Sequence, residues 1–177
     1  MMTDNGSKEI LAQGRFMRLA KKGTWEYAER NNASGAVVIV AVTDEGKLIL
    51  IEQHRVPVDC PVIELPAGLV GDIPGEEDEA WETAARRELL EETGYLAKKV
   101  KQVAGGPISA GFSNEMISLF VAKGLKKIEA GGGVEGEDIR IHEISVSRVP
   151  AWLRKKEREG MMVDPKVFAG LFFVNAK

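Results

Sequence analysis

Three carboxylates in the stretch Arg87-Glu88-Leu89-Leu90-Glu91-Glu92-Thr93-Gly94-Tyr95 stand three and four residues apart. On an α-helix such residues share one face within about one turn, roughly 6 Å along the axis. Like charges at this spacing repel by a few tenths of a kcal/mol per pair even in water, and burial increases the repulsion. A hard divalent cation turns that cost into a site, because Mg²⁺ takes oxygen ligands and keeps positions open for water and substrate phosphate. Gly94 is placed to end the helix as its C-cap. An acidic helix face is ordinarily only a solvated face, so the order of the residues has to decide.

That order is Arg, Glu, apolar, any, Glu, Glu, any, Gly, apolar. It resembles the helical half of the Nudix box, G-x5-E-x7-R-E-U-x-E-E-x-G-U with U apolar, and Leu89 and Tyr95 hold the U positions. The first half differs. With Gly68 of Glu64-Leu-Pro-Ala-Gly68 as the box glycine, eighteen residues precede Arg87 where the pattern has thirteen, an insertion of five. Glu79 keeps the E-x7-R spacing and Glu76 keeps the Pro-Gly-Glu context, so both stay candidates for the first glutamate. The insertion predicts a longer loop before the helix and leaves the helical carboxylates in phase.

The elements around this helix follow from pattern. Glu9 to Ala20 and Thr24 to Arg30 read as two strands of a hairpin joined by Lys21-Lys22-Gly23. A lone hairpin is not stable, so its large apolar residues Phe16, Trp25 and Tyr27 must pack on the body or on a second subunit. Gly35 to Thr43 and Lys47 to Gln53, separated by Asp44-Glu45-Gly46, read as central strands. A Pro-rich loop over Val56 to Pro61 precedes Glu64. The box helix is expected over Asp78 to Thr93, with Trp81, Ala84, Ala85 and Leu89 on its buried side. Strands are expected at Tyr95 to Val103, Glu115 to Ala122 and Ile139 to Val146, with loops at Gly105 to Asn114 and Gly131 to Asp138. Val149 to Glu159 reads as a basic amphipathic helix. Asp164 caps a last helix with Pro165 at its first position and Val167, Leu171 and Phe172 on its apolar side.

A length of 177 residues allows one ordinary domain with a sizeable core. The net charge of −3 argues against a nucleic-acid partner, which needs a basic stripe. The single cysteine, Cys60, excludes an intrachain disulfide and a cysteine metal cluster. No apolar run reaches the roughly 18 residues of a membrane span, and Met1 to Ser7 is polar rather than signal-like. The expected location is therefore the cytoplasm, with no membrane partner. Gly131-Gly132-Gly133 makes no P-loop, since no Lys-Ser or Lys-Thr follows.

Beyond the box, Gln53-His54-Arg55-x-Pro with Glu-Leu-Pro-Ala-Gly, and the Gly-Phe-Ser-Asn-Glu segment Gly111 to Glu115, resemble the ADP-ribose pyrophosphatase and nucleoside diphosphate sugar hydrolase branch of the Nudix family. In that branch the second segment carries a proline where this chain has Ala110, which leaves the wider class of nucleoside diphosphate sugars open beside ADP-ribose. The resemblance implies an α/β fold: a Nudix-type α/β/α sandwich with a mixed β-sheet over residues 31–177. The N-terminal β-hairpin extension, residues 1–30, has large apolar residues and no obvious place in that core, so it is expected to form a homodimer. The resemblance implies Mg²⁺, replaceable by Mn²⁺, held by Glu88, Glu92, Glu137 and the Ala67 carbonyl, with Glu91 as a further ligand or water-holder. It also implies Arg87 orienting the glutamates, Glu135 as general base, and Arg55, Phe112, Ser113 and Glu115 around a small-molecule nucleotide sugar. Two rival expectations share the fold: a house-cleaning nucleoside triphosphate pyrophosphohydrolase, which shares the whole box, and a non-catalytic ligand-binding module, which has no need of every helical carboxylate.

Overall fold

The N-terminal extension is a three-stranded antiparallel sheet, not the expected hairpin. The computed structural model describes residues 6–134 and 136–175. Its first strands are β1 (Glu9–Gln13), β2 (Met17–Lys22) and β3 (Trp25–Arg30), in the order β1-β2-β3. The run expected as one strand breaks at Gly14, whose N–H donates to the Met17 carbonyl at 2.8 Å. The Asn31 amide then staples the turn by donating to the carbonyls of Gly14 and Arg15, at 2.9 and 3.2 Å.

The body begins with β4 (Gly35–Ala41) and β5 (Lys47–Arg55). What reads as a Pro-rich loop is mostly structured: a 3-10 turn at Val56–Val58 and Asp59 at φ 47° reverse the chain directly into β6 (Cys60–Glu64), followed by β7 (Ala67–Val70). Helix α1 (Trp81–Thr93) starts three residues later than expected, because Ile73 to Glu79 is taken up by turns closed through the carbonyls of Ile73 and Glu76. Strands β8 (Tyr95–Pro107) and β9 (Met116–Lys127) outrun their expected lengths and reduce the intervening loop to residues 108–115. Strand β10 (Arg140–Ser145), helix α2 (Val149–Arg158), the two-residue β11 (Met162–Val163) and helix α3 (Pro165–Asn175) complete the chain. Among the described residues no helix is long and apolar enough to cross a membrane.

The central layer is two four-stranded sheets, ordered β10-β5-β6-β11 and β7-β4-β9-β8, each mixing parallel and antiparallel pairs. Strand period places helices on both sides. Val37, Ile39 and Ala41 of β4 pack with Ala84, Ala85 and Leu89 of α1, whereas Val38 and Val40 pack with Val149 and Leu153 of α2 and Val167 of α3. An α/β/α sandwich results. Leu89 is fully buried, and truncating such a leucine to alanine costs roughly 2–5 kcal/mol, so the catalytic candidates ride on a firmly anchored helix. Phe172, expected on the apolar side of α3, is instead 68 % exposed, because Gly170 and Val167 form the close contact with Leu65, Val40 and their neighbours.

Candidate active site

Helix α1 ends at Gly94, which takes the left-handed conformation (φ 72°) and donates to Leu90 at 2.7 Å. Its acidic face meets the start of β7. A Cβ at Gly68 would fall on the Glu88 carboxylate, so glycine is what lets this side chain lie against the strand backbone. The Ala67 N–H donates to Glu92 Oε2 at 2.9 Å. Burial pushes Glu92 up to about 9, and the nearby Glu88 and Glu137 carboxylates add to the rise. Glu88 is pushed up to about 7, again first by burial, which outweighs its 2.7 Å bond from Arg87 Nη1.

Arg87 lies beneath this face. Its Nε and Nη2 each donate to Glu79 at 3.1 Å, Nη2 also reaches the Leu69 carbonyl at 3.1 Å, and Nη1 reaches Glu91 at 3.2 Å. Glu79 is the carboxylate that meets this arginine, with its side chain 3 % exposed, whereas Glu76 is exposed; the E-x7-R spacing therefore marks the structural partner. One guanidinium thus ties α1, β7 and the inserted loop together.

The loop after β9 closes over the end of α1. Gly132 and Gly133 donate to the carbonyls of Glu92 and Glu91, at 2.9 and 3.0 Å, filling acceptors that a helix end leaves open. Glu137 follows, its Oε2 accepting from the Val134 N–H at 3.0 Å, and it lines the same cleft as Glu88 and Glu92. Glu135 lies outside the described residues.

The cleft holds about 640 Å³. Across from α1, Arg55 donates from Nε and Nη2 to Glu64 at 2.7 and 2.5 Å, and Arg30 of β3 is ion-paired with Glu115. The structure therefore brings Arg55, Glu115, Ala67, Arg87, Glu88, Glu91, Glu92 and Glu137 to one cleft. Phe112 and Ser113 stand apart from it: the Phe112 ring is exposed, while its carbonyl and the Asn114 N–H pair with Ala28 of β3. Cleft residues that pattern reading passed over are Arg30, Gln53, Asp72, Asp164 and Lys166. Lys166 is ion-paired with Asp164, which also caps α3 by accepting the Lys166 N–H at 2.7 Å.

Eight carboxylates and four cationic side chains line this cleft, so without added cations it repels an anionic ligand. Among the described residues no three His, Cys, Asp or Glu side chains already converge as a finished metal cluster. The donor set nevertheless fits a hard divalent cation: Glu88 and Glu92 offer desolvated carboxylate oxygens on adjacent turns, and Glu137 is close enough to raise Glu92.

A sandwich with a carboxylate-lined cleft on one helix defines the class, and comparison with known proteins names it. The NUDIX domain model matches residues 33–161, and the chain belongs to that family. It is 36% identical over 123 residues to a methanol dehydrogenase activator of Bacillus methanolicus, covering 69% of this chain and 64% of that protein. It is 39% identical over 113 residues to an ADP-ribose pyrophosphatase of Bacillus subtilis (strain 168), covering 63% and 58%. A GDP-mannose pyrophosphatase of Cronobacter sakazakii (strain ATCC BAA-894) is 32% identical over 149 residues, covering 80% and 72%. The chain thus spans less than two thirds of the first two relatives. The crystal structure of an ADP compounds hydrolase superposes with a TM-score of 0.71 at 23% identity, over 95% of this chain and 89% of that one, and shares its fold.

Proposed function

We propose that this protein hydrolyses the pyrophosphate bond of nucleoside diphosphate sugars, ADP-ribose or a related compound, to a nucleoside monophosphate and a sugar phosphate, with Mg²⁺ as cofactor and Mn²⁺ able to substitute. The observation that carries this reading is an acidic, desolvated helix face that shares one cleft with Arg55 on the opposite wall. Pyrophosphatase-named relatives of the same family, acting on an ADP- and a GDP-linked sugar, support the class while leaving the base open. Glu88, Glu92, Glu137 and the Ala67 carbonyl would hold the cation, with Glu91 as a further ligand or water-holder. When bound, it neutralises charge gathering on the phosphates and acidifies the attacking water.

The chain's own residues do the rest. Arg87 holds Glu88 and Glu91 in place and stays off the substrate, because its donors are spent on Glu79, Glu88, Glu91 and Leu69. Arg55 faces the substrate anion from the other wall. Glu135 takes the proton of the attacking water. The oxygen of water joins one phosphorus, the bridging P–O bond breaks, and two phosphate monoesters leave. Phe112, Ser113 and Glu115 belong to the segment that surrounds the sugar side, reached by the first two through movement of residues 108–115 or from a second subunit. The molecule acts as a cytoplasmic homodimer.

A competition assay with Mg²⁺ over nucleoside diphosphate sugars and nucleoside triphosphates, read by mass spectrometry of products, tests the reading. Expected is a kcat/KM for the preferred sugar nucleotide at least ~10-fold above any triphosphate, a gap of about 1.4 kcal/mol. Preferential release of pyrophosphate from triphosphates would move the protein to the house-cleaning class, and absence of turnover would leave a binding module.

A further inference from the structure

Glu64 sits at the end of β6 with its side chain 6 % exposed. The β5–β6 register pairs Glu64 with Ile51, whereas Arg55 pairs with Cys60 at the far end of the ladder. Directly opposed residues share a face, so Arg55 and Glu64 lie on the same side of the sheet but four residues apart, roughly 13 Å along the strand. An arginine at a strand end has no reason of its own to lie back along the sheet. Here it does so, over the cleft, and ends in a two-point fork on the Glu64 carboxylate at 2.7 and 2.5 Å. Paired N–H···O bonds of this kind fix both position and plane. Arg55 remains 43 % exposed at its side chain, and its charge is felt by Glu92 on α1.

The geometry points to Glu64 as a positioning residue: it draws Arg55 into the cleft and consumes its Nε–Nη2 edge, so that the opposite Nη1–Nη2 end is presented to the substrate's phosphate. Among the described residues Nη1 of Arg55 donates to nothing else, which leaves it free for a phosphate oxygen. A lysine could not serve, since it has no second edge for Glu64 to grip. The inference rests on the proposed hydrolysis of nucleoside diphosphate sugars. The pyrophosphate charge is present in substrate and transition state alike, so losing the aim of Arg55 weakens both together and appears in KM rather than kcat.

The test is steady-state kinetics on the purified full chain with Mg²⁺ and its best nucleoside diphosphate sugar, for Glu64→Gln, Arg55→Gln, the double variant and Arg55→Lys, with a melting curve for each. Glu64→Gln is expected to raise KM about 10-fold with kcat within about 3-fold, and to add nothing to KM in the Arg55→Gln background. Arg55→Lys should behave as Arg55→Gln. Equal effects of Glu64→Gln in both backgrounds, a loss confined to kcat, or a wild-type KM in Arg55→Lys would each overturn the assignment. Should Glu64→Gln fail to fold, Arg55→Lys decides the matter alone. A wild type that turns over no nucleoside diphosphate sugar would remove the functional reading and this inference with it, whereas an active wild type with additive variants removes only the inference.

Discussion

A carboxyl held as deep as Glu92 keeps its proton through neutral pH unless a cation takes its place. Glu92→Gln retains shape and can still accept the Ala67 N–H, so the protein should fold while kcat falls at least ~100-fold; near-normal turnover with Mg²⁺ would sink the proposed site. The same burial predicts an unusual pH profile. Glu88 at about 7 and Glu92 at about 9 both lie above the ordinary 4.5, so the folded state holds these protons more tightly than the unfolded state. Their contribution is whole below about pH 4.5 and is lost as pH rises through 7 to 9. The melting temperature in EDTA should therefore fall between pH 6 and 9, and saturating Mg²⁺ should reverse the fall by binding only the folded, deprotonated form. Calorimetry across that window checks it, and a metal-free melting temperature that climbs would count against the protonated pair. These glutamates were legible in the sequence because three- and four-residue spacings on a helix are local. The Arg55–Glu64 fork was not, because it depends on the register of β5 on β6, and the reversal that sets that register reads as a plain proline-rich loop.

The glycine run after β9 reads in the sequence as no known phosphate loop, and pattern says nothing more. In the fold it closes the end of helix α1. Gly131, at φ 71°, packs so tightly that a Cβ would meet the backbone of Thr93 and Gly94, while Gly136, at φ 96°, has open space around it. Both positions disfavour a side chain by conformation, at about 1–3 kcal/mol, but only the first adds a clash with the end of helix α1. Gly131→Ala should thus lower the melting temperature and kcat together, with Gly136→Ala clearly milder on both; equal effects would show that the close approach is irrelevant. On the same segment, Glu137→Gln should weaken Mn²⁺ binding in a titration, and an unchanged affinity would remove Glu137 from the ligand set. The short strand β11 escaped pattern reading for a plain reason: two residues carry no periodicity. Yet its parallel pairing with β6 brings Asp164 and Lys166 to the cleft.

Across the molecule, the sandwich followed from strand and helix periods plus the box, but the N-terminal sheet did not, because one glycine turn divides what reads as a single strand. That sheet leaves Ile10, Leu11, Met17, Leu19 and Trp25 at least 40 % exposed, and grouped apolar surface of this kind is where subunits associate, which is the basis for the proposed dimer. Light scattering should find a dimer for the intact chain and a monomer for Met17→Glu/Leu19→Glu; a monomeric intact chain would refute the assembly. Strand β3 is also joined to the segment at 112–114 through Ala28, and its Arg30 holds Glu115 at the cleft. If the sheet is what subunits share, then diluting the protein below the dissociation constant of the dimer should loosen that wall. For the proposed hydrolysis, specific activity should then decline as the protein is diluted, and selectivity among nucleoside diphosphate sugars should fade before turnover itself does.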